Sequence, residues 1–132
     1  MEQPTKINIS TRPIITYYKS GGIVGYDVRL EIYSNSTYKL FSHDKLVKID
    51  KLDLTTSKAI TEILNNYYVL EQIPKSNIDG NDYLYHNIDI NGHYYSLDSF
   101  GQDENVYNQI VSQNKNLFDS IKQIDLLADI QK

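Results

Sequence analysis

Asn91-Gly92 stands between two stretches of alternating side chains, Tyr83 to Ile90 and His93 to Asp98. An Asn-Gly pair takes the positive φ angles that a two-residue type I′ turn needs at both central positions, so it commits its neighbours to an antiparallel hairpin. In the resulting register Ile90 lies opposite His93, Ile88 opposite Tyr95, and His86 opposite Leu97. Successive side chains of a strand point to opposite faces. Leu84, His86, Ile88, Ile90, His93, Tyr95 and Leu97 therefore share one face, and Tyr83, Tyr85, Asn87, Asp89, Tyr94, Ser96 and Asp98 the other. The first set is the expected core side.

A second ribbon precedes this hairpin. Ile14-Ile15-Thr16-Tyr17-Tyr18 is dense in branched and aromatic residues and runs into Lys19-Ser20-Gly21-Gly22, the pattern of a strand ending at a turn. Beyond Gly25, Tyr26, Val28, Leu30 and Ile32 alternate with Asp27, Arg29, Glu31 and Tyr33, a period of two with one apolar face. Ser34-Asn35-Ser36 reads as a turn and Thr37 to Phe41 as a third strand, which makes an antiparallel meander. Val47 with Ile49 suggests another short strand. Thr55-Thr56-Ser57 is expected to cap a helix from about Thr56 to Asn66, in which Ile60, Ile63, Leu64 and Tyr67 recur at helical spacing. Tyr68 to Pro74 then leads into an exposed, turn-rich loop from Lys75 to Asp82. Val106, Ile110, Leu117, Ile121 and Ile124 are again helically spaced, with a break near Gln113 to Asn116. The last helix is expected from about Asn116 to Ile130, with a shorter one before it. Met1 to Arg12 shows no clear period and reads as an arm, with Lys6 to Ser10 as a short edge strand.

Strands first, then a helix, a hairpin and more helix favour an α+β fold over a βαβ one: an antiparallel β-sheet, meander plus Asn-Gly hairpin, with helices packed on one face. The 132 residues suit a single domain, 13–132, behind the arm at 1–12. At this length roughly two-thirds of the unfolded surface can be buried, so the absence of cysteine is no obstacle to stability. No apolar run approaches the roughly 20 residues of a membrane-spanning helix. Met1 to Thr5 lacks a signal peptide's basic and apolar regions, which implies a cytoplasmic chain as written; a leader already removed would place it in the envelope or outside. With a formal charge of −4 and only Arg12 and Arg29 as arginines, the chain lacks the clustered cations that a nucleic-acid backbone selects.

Several chemistries are unsupported. There is no cysteine and no Gly-x-Ser-x-Gly elbow for nucleophilic catalysis. Gly21, Gly22 and Gly25 precede a strand rather than a helix, so they read as a hairpin turn with a bulge or close backbone packing, and not as a phosphate cradle. His43, His86 and His93 show no zinc-ligand spacing, and the hairpin register sets His86 and His93 roughly 14 Å apart. Hydrogen-bonded structural histidines are the expectation. Asp79, Gly80, Asn81 and Asp82 lack the rest of a calcium loop and read as an Asx turn. Asp98, Asp103 and Glu104 could pair for acid-base work, but helix electrostatics already accounts for Asp103 and Glu104 at a helix start. No catalytic residue, cofactor or metal is expected.

Twelve tyrosines remain to be accounted for. Tyr83, Tyr85 and Tyr94 project from the hairpin face opposite the core, where tyrosine serves either as an interface anchor or simply as a good strand former. The segment Ile15 to Gly25, with Ser20-Gly21-Gly22 and Gly25 at its centre, resembles the opening of the emfourin-like family of small bacterial and archaeal proteins, which are related to protealysin inhibitors. Leu54-Thr55 before a helix, Tyr67-Tyr68-Val69-Leu70 leading toward Pro74, Asp82 ahead of the Tyr85 to Ile90 strand, and a C-terminal helix follow in the same order. The resemblance implies a non-enzymatic inhibitor of thermolysin-type zinc metalloproteases. Ser20, Gly21, Gly22 and Gly25 would then shape the contact loop, and Tyr83, Tyr85 and Tyr94 would anchor a protein partner. A small envelope-associated or structural module, lipoprotein-like, is the alternative.

Overall fold

A computed structural model describes residues 12–22, 25–73, 84–98 and 104–129. Four strands come first: β1 (Ile15–Gly21), β2 (Tyr26–Ile32), β3 (Thr37–Ser42) and β4 (Lys45–Lys51). Helix α1 (Leu54–Asn66) continues into a 3-10 helix (Tyr67–Gln72), and β5 (Leu84–Ile90) and β6 (His93–Ser96) form the second hairpin. Helices α2 (Glu104–Gln113) and α3 (Lys115–Leu127) close the described chain. The strands make one six-stranded sheet in the order β4-β3-β2-β1-β5-β6. Every neighbouring pair is antiparallel. The fold is α+β, as the segment order implies.

The Asn-Gly hairpin adopts the expected register, with Ile90 opposite His93 and Ile88 opposite Tyr95. Asn91 (φ 52°) and Gly92 (φ 90°) supply the two positive angles of its turn. A second such turn, at His43 (φ 50°) and Asp44 (φ 66°), joins β3 to β4 without any glycine. The alternation in β2 is realised as burial: Val28, Leu30 and Ile32 are buried while Asp27 is exposed. Together with Ile15, Tyr17, Ile88 and Ile90 they line one sheet face, on which Ile60, Ile63, Leu117, Phe118, Ile121 and Ile124 of the helices pack. Helix α1 lies along α3, so the helical layer is itself cemented.

Four expectations need correction. Helix α1 is capped by Asp53, whose carboxylate accepts the Thr56 N–H at 2.8 Å, and Thr55 to Ser57 lie inside the first turn. Aspartate is as good a cap as threonine, and this one stands two residues before Thr55. The segment Tyr68 to Pro74 is not mere connection, because Val69 and Leu70 bury themselves from a 3-10 helix. The short strand around Val47 and Ile49 is seven residues long and exposed throughout. Leu40 pairs with Lys48 and Phe41 with Leu46, which leaves Val47 as the extra residue of a bulge. Finally, Asp98 does not continue the alternation of β6, which ends at Ser96; its carboxylate turns to His86 on the core side. The break between the last two helices falls at Asn114, within the expected interval. Lys6 to Ser10, the loop from Lys75 to Asp82, and Asp103 lie outside the described residues.

Candidate functional site

The helices occupy one face of the sheet, and the strand registers show what the opposite face presents. One row across all six strands reads Ser96, Asn87, Tyr18, Arg29, Phe41 and Leu46. The adjacent row reads Tyr94, Asp89, Thr16, Glu31, Lys39 and Ile49. Among the described residues no helix covers either row. Tyr94 remains 60% exposed, Ile49 59% and Leu46 48%, so the face offers apolar and aromatic surface at both of its lateral ends.

The two rows are internally braced. Tyr18 and Tyr94 pack with ring centroids 6.0 Å apart in a tilted arrangement. Arg29 stacks on Phe41 at 4.1 Å while its Nε reaches Glu31 and its Nη1 reaches Asp44, each at 3.0 Å. The Tyr33 hydroxyl donates to Glu31 as well. Burial, and then that hydrogen bond, push the Tyr33 phenol up to about 12. Burial also raises the Tyr18 and Tyr94 phenols, with Asp89 contributing to both, so both hydroxyls keep their protons at neutral pH. Arg29 and Lys39 are matched by Glu31, Asp89 and Asp27, so the face carries no excess of cations of the kind a phosphate backbone selects.

The residues expected to make contact fall on or beside this face. Ser20 and Tyr85 are directly opposite each other on β1 and β5. Gly21 (φ 90°), Gly22 (φ 77°) and Gly25 (φ 75°) form the bend between β1 and β2, and the Gly25 N–H donates to the Gly22 carbonyl at 3.1 Å. A Cβ at Gly22 would meet nothing closer than Leu84 at 3.8 Å. At Gly22 and Gly25 the bend thus needs glycine for backbone conformation rather than for close packing. Tyr94 is four residues along β5 from Tyr85 through its partner Asp89, roughly 13 Å away, and Tyr18 fills the interval. Tyr83 lies outside the described residues. Tyr18, Phe41, Leu46 and Ile49 were not legible as members of this surface. Their signal was the register, which links strands that the sequence leaves unpaired.

A second feature lies on the helix side. Between β5, the segment after β6, α2 and α3 is a cleft of about 360 Å³. Leu97, Val111, Phe118 and Ile121 wall it, and Tyr17, His86 and Asp125 meet at one corner. The Tyr17 hydroxyl donates to Asp125 Oδ1 at 2.7 Å, and Lys19 Nζ lies 3.0 Å from the same oxygen. Burial first, and the bond to Asp125 second, hold the Tyr17 phenol protonated far above its ordinary range. Beside it, Asp98 Oδ2 accepts the His86 backbone N–H at 2.6 Å, and Asp98 Oδ1 accepts from His86 Nδ1 at 2.8 Å. Tyr107 donates to the Leu97 carbonyl at 2.7 Å and so fixes α2 to the strand end.

The histidines are separate. His43 faces Asp27 at 3.9 Å, His86 binds Asp98, and His93 lies 6.0 Å from the Tyr67 ring. Among the described residues no group of three metal-binding side chains converges, and no helix is long and apolar enough to cross a membrane. No protein-family model, curated protein or solved structure matches the chain.

Proposed function

We propose that this chain is a non-enzymatic protein-binding domain that uses the helix-free face of its sheet, and that a thermolysin-type zinc metalloprotease is the partner class to test first. The reading is carried by one observation: all the described helices pack on one side, leaving Tyr18, Tyr94, Phe41, Leu46 and Ile49 on the other. Tyrosine beside an arginine held flat on a ring is the composition of an interface centre, since such groups bring large area with little loss of rotamer freedom. The strand scaffold and the paired carboxylates preorganise that surface. The choice of protease rests on the resemblance of the Ser20 to Gly25 bend and the order of elements to emfourin-like chains.

The test is hydrolysis of a chromogenic peptide by thermolysin in the presence of the purified chain and of its Tyr18→Ala and Tyr94→Ala variants. Saturable inhibition by the wild type is expected, weakened about tenfold or more in each variant, as for anchors at an interface centre. Unchanged protease rates at about 10 μM wild-type chain would exclude this protease as the partner. Inhibition that both variants retain in full would exclude the open face.

A further inference from the structure

The helix-side cleft has a donor and acceptor balance that selects a ligand. The donors at its inner corner are spent: the Tyr17 hydroxyl on Asp125, the Tyr107 hydroxyl on the Leu97 carbonyl, and His86 Nδ1 on Asp98, while the exposed Asn108 and Lys122 are the further donors of its lining. An ionised carboxylate only accepts, so the short contact to Asp98 places the ring proton on Nδ1 and leaves the Nε2 of a neutral His86 as an acceptor. Asp125 uses Oδ1 for both Tyr17 and Lys19, and Oδ2 has no donor among the described residues. Its side chain is 37% exposed, so that oxygen is reachable. Leu97, Val111, Phe118 and Ile121 make the apolar part of the wall, and about 360 Å³ lies near the lower end of the range for small-ligand sites, roughly 300–1,000 Å³.

We propose that this cleft binds a small primary amine with an apolar body the size of one ring, its ammonium donating to Asp125 Oδ2 and toward His86 Nε2. The ring would lie against Val111, Phe118 and Ile121. An ammonium supplies donors to Asp125 Oδ2 and His86 Nε2, the acceptors left at that inner corner, beside a carboxylate that already pairs with Lys19. A carboxylate head would meet the like charge of Asp125, with Lys19 already engaged there and the exposed Asn108 and Lys122 as the donors left to it. An alcohol supplies one donor and no charge, so it binds more weakly than the amine.

The probe is 2-phenylethylamine, titrated into the isotopically labelled chain and followed by amide chemical shifts, with phenylacetate and 2-phenylethanol as matched comparisons. Saturable shifts at His86, Leu97, Val111 and Ile121 are expected below about 20 mM, as befits a fragment of this size. The two comparison compounds should bind about tenfold more weakly or worse. Val111→Phe, which fills the cleft from a half-buried position, should abolish the response, and Asp125→Asn should erase the preference for the amine. If Asp125→Asn fails to fold because Lys19 loses its partner, the compound series and Val111→Phe still decide. Equal binding of phenylacetate, shifts that persist in Val111→Phe, or no shift at these residues would each overturn the proposal.

Discussion

Tyr17→Phe removes one hydroxyl and leaves a ring of nearly the same shape in the core, which isolates the hydrogen bond that ties β1 to α3. A hydrogen bond to a charged acceptor contributes roughly 1.5–3 kcal/mol. Asp125 keeps Lys19 at 3.0 Å and is 37% exposed, so water can replace the lost donor and the cost falls at the lower bound, about 1.5 kcal/mol. For a chain of 132 residues that corresponds to a fall in Tm of about 5 °C. The pH dependence provides the sharper check. The Tyr17 phenol is raised in the folded state, so its contribution is complete below the unfolded value near 10 and is lost as pH rises toward the folded value. The phenylalanine variant has no such titration. The stability difference should therefore shrink by about 1.4 kcal/mol per pH unit above about pH 10 and vanish near pH 11. The groups that the two proteins share cancel to first order. Urea denaturation followed by circular dichroism, in steps from about pH 7 to pH 11, measures it. A variant as stable as wild type at neutral pH, or a difference that widens with alkali, would refute the reasoning.

Two further substitutions probe the edges of the sheet. Gly92→Ala meets no atom within 4 Å of the added Cβ but must hold φ at +90°, so a loss of about 1–2 kcal/mol through backbone strain alone is expected, seen as a lower urea midpoint at unchanged m-value; an unchanged midpoint would show that the turn relaxes freely. Lys48→Val joins Leu46, Val47 and Ile49 into one exposed apolar run on edge strand β4, and light scattering at matched concentration should report a larger mean mass than for wild type. Equal masses would mean that the bulge at Val47, rather than the lysine, protects the edge.

The elements were legible wherever burial differs between two sides of a segment. In β2, and in β5 from Ile88 on, one side chain in two enters the core, and the period appears directly in the residues. Helix α1 was legible from Ile60 and Ile63 for the same reason, although its cap, Asp53, lies two residues before Thr55. Strand β4 was nearly silent because all seven of its residues face solvent, so no alternation in polarity was ever required of it. The 3-10 helix was equally silent, since Tyr67 to Gln72 buries Val69 and Leu70 within about two turns, with no repeat long enough to read. Asp98 was assigned to the wrong face because strand alternation was carried past Ser96, where the strand had ended.

Of the candidate surface, Tyr85 and Tyr94 followed from alternation about the Asn-Gly turn and Ser20 from the resemblance at the glycine bend, whereas their neighbours Tyr18, Phe41 and Ile49 required the pairing of β5 with β1 and of β3 with β4. The cleft was wholly a tertiary product. Its corner joins Tyr17 to Asp125 across 108 residues and His86 to Asp98 across 12.

Turn chemistry and polarity period are local, and by themselves they determined the two ribbons, which side of each is apolar, and where the last helix breaks. Which ribbon lies beside which, and what the helices enclose when they settle on the sheet, depend on contacts between residues far apart in the chain. Those contacts are selected by the burial they achieve together, and no short stretch of sequence carries that sum.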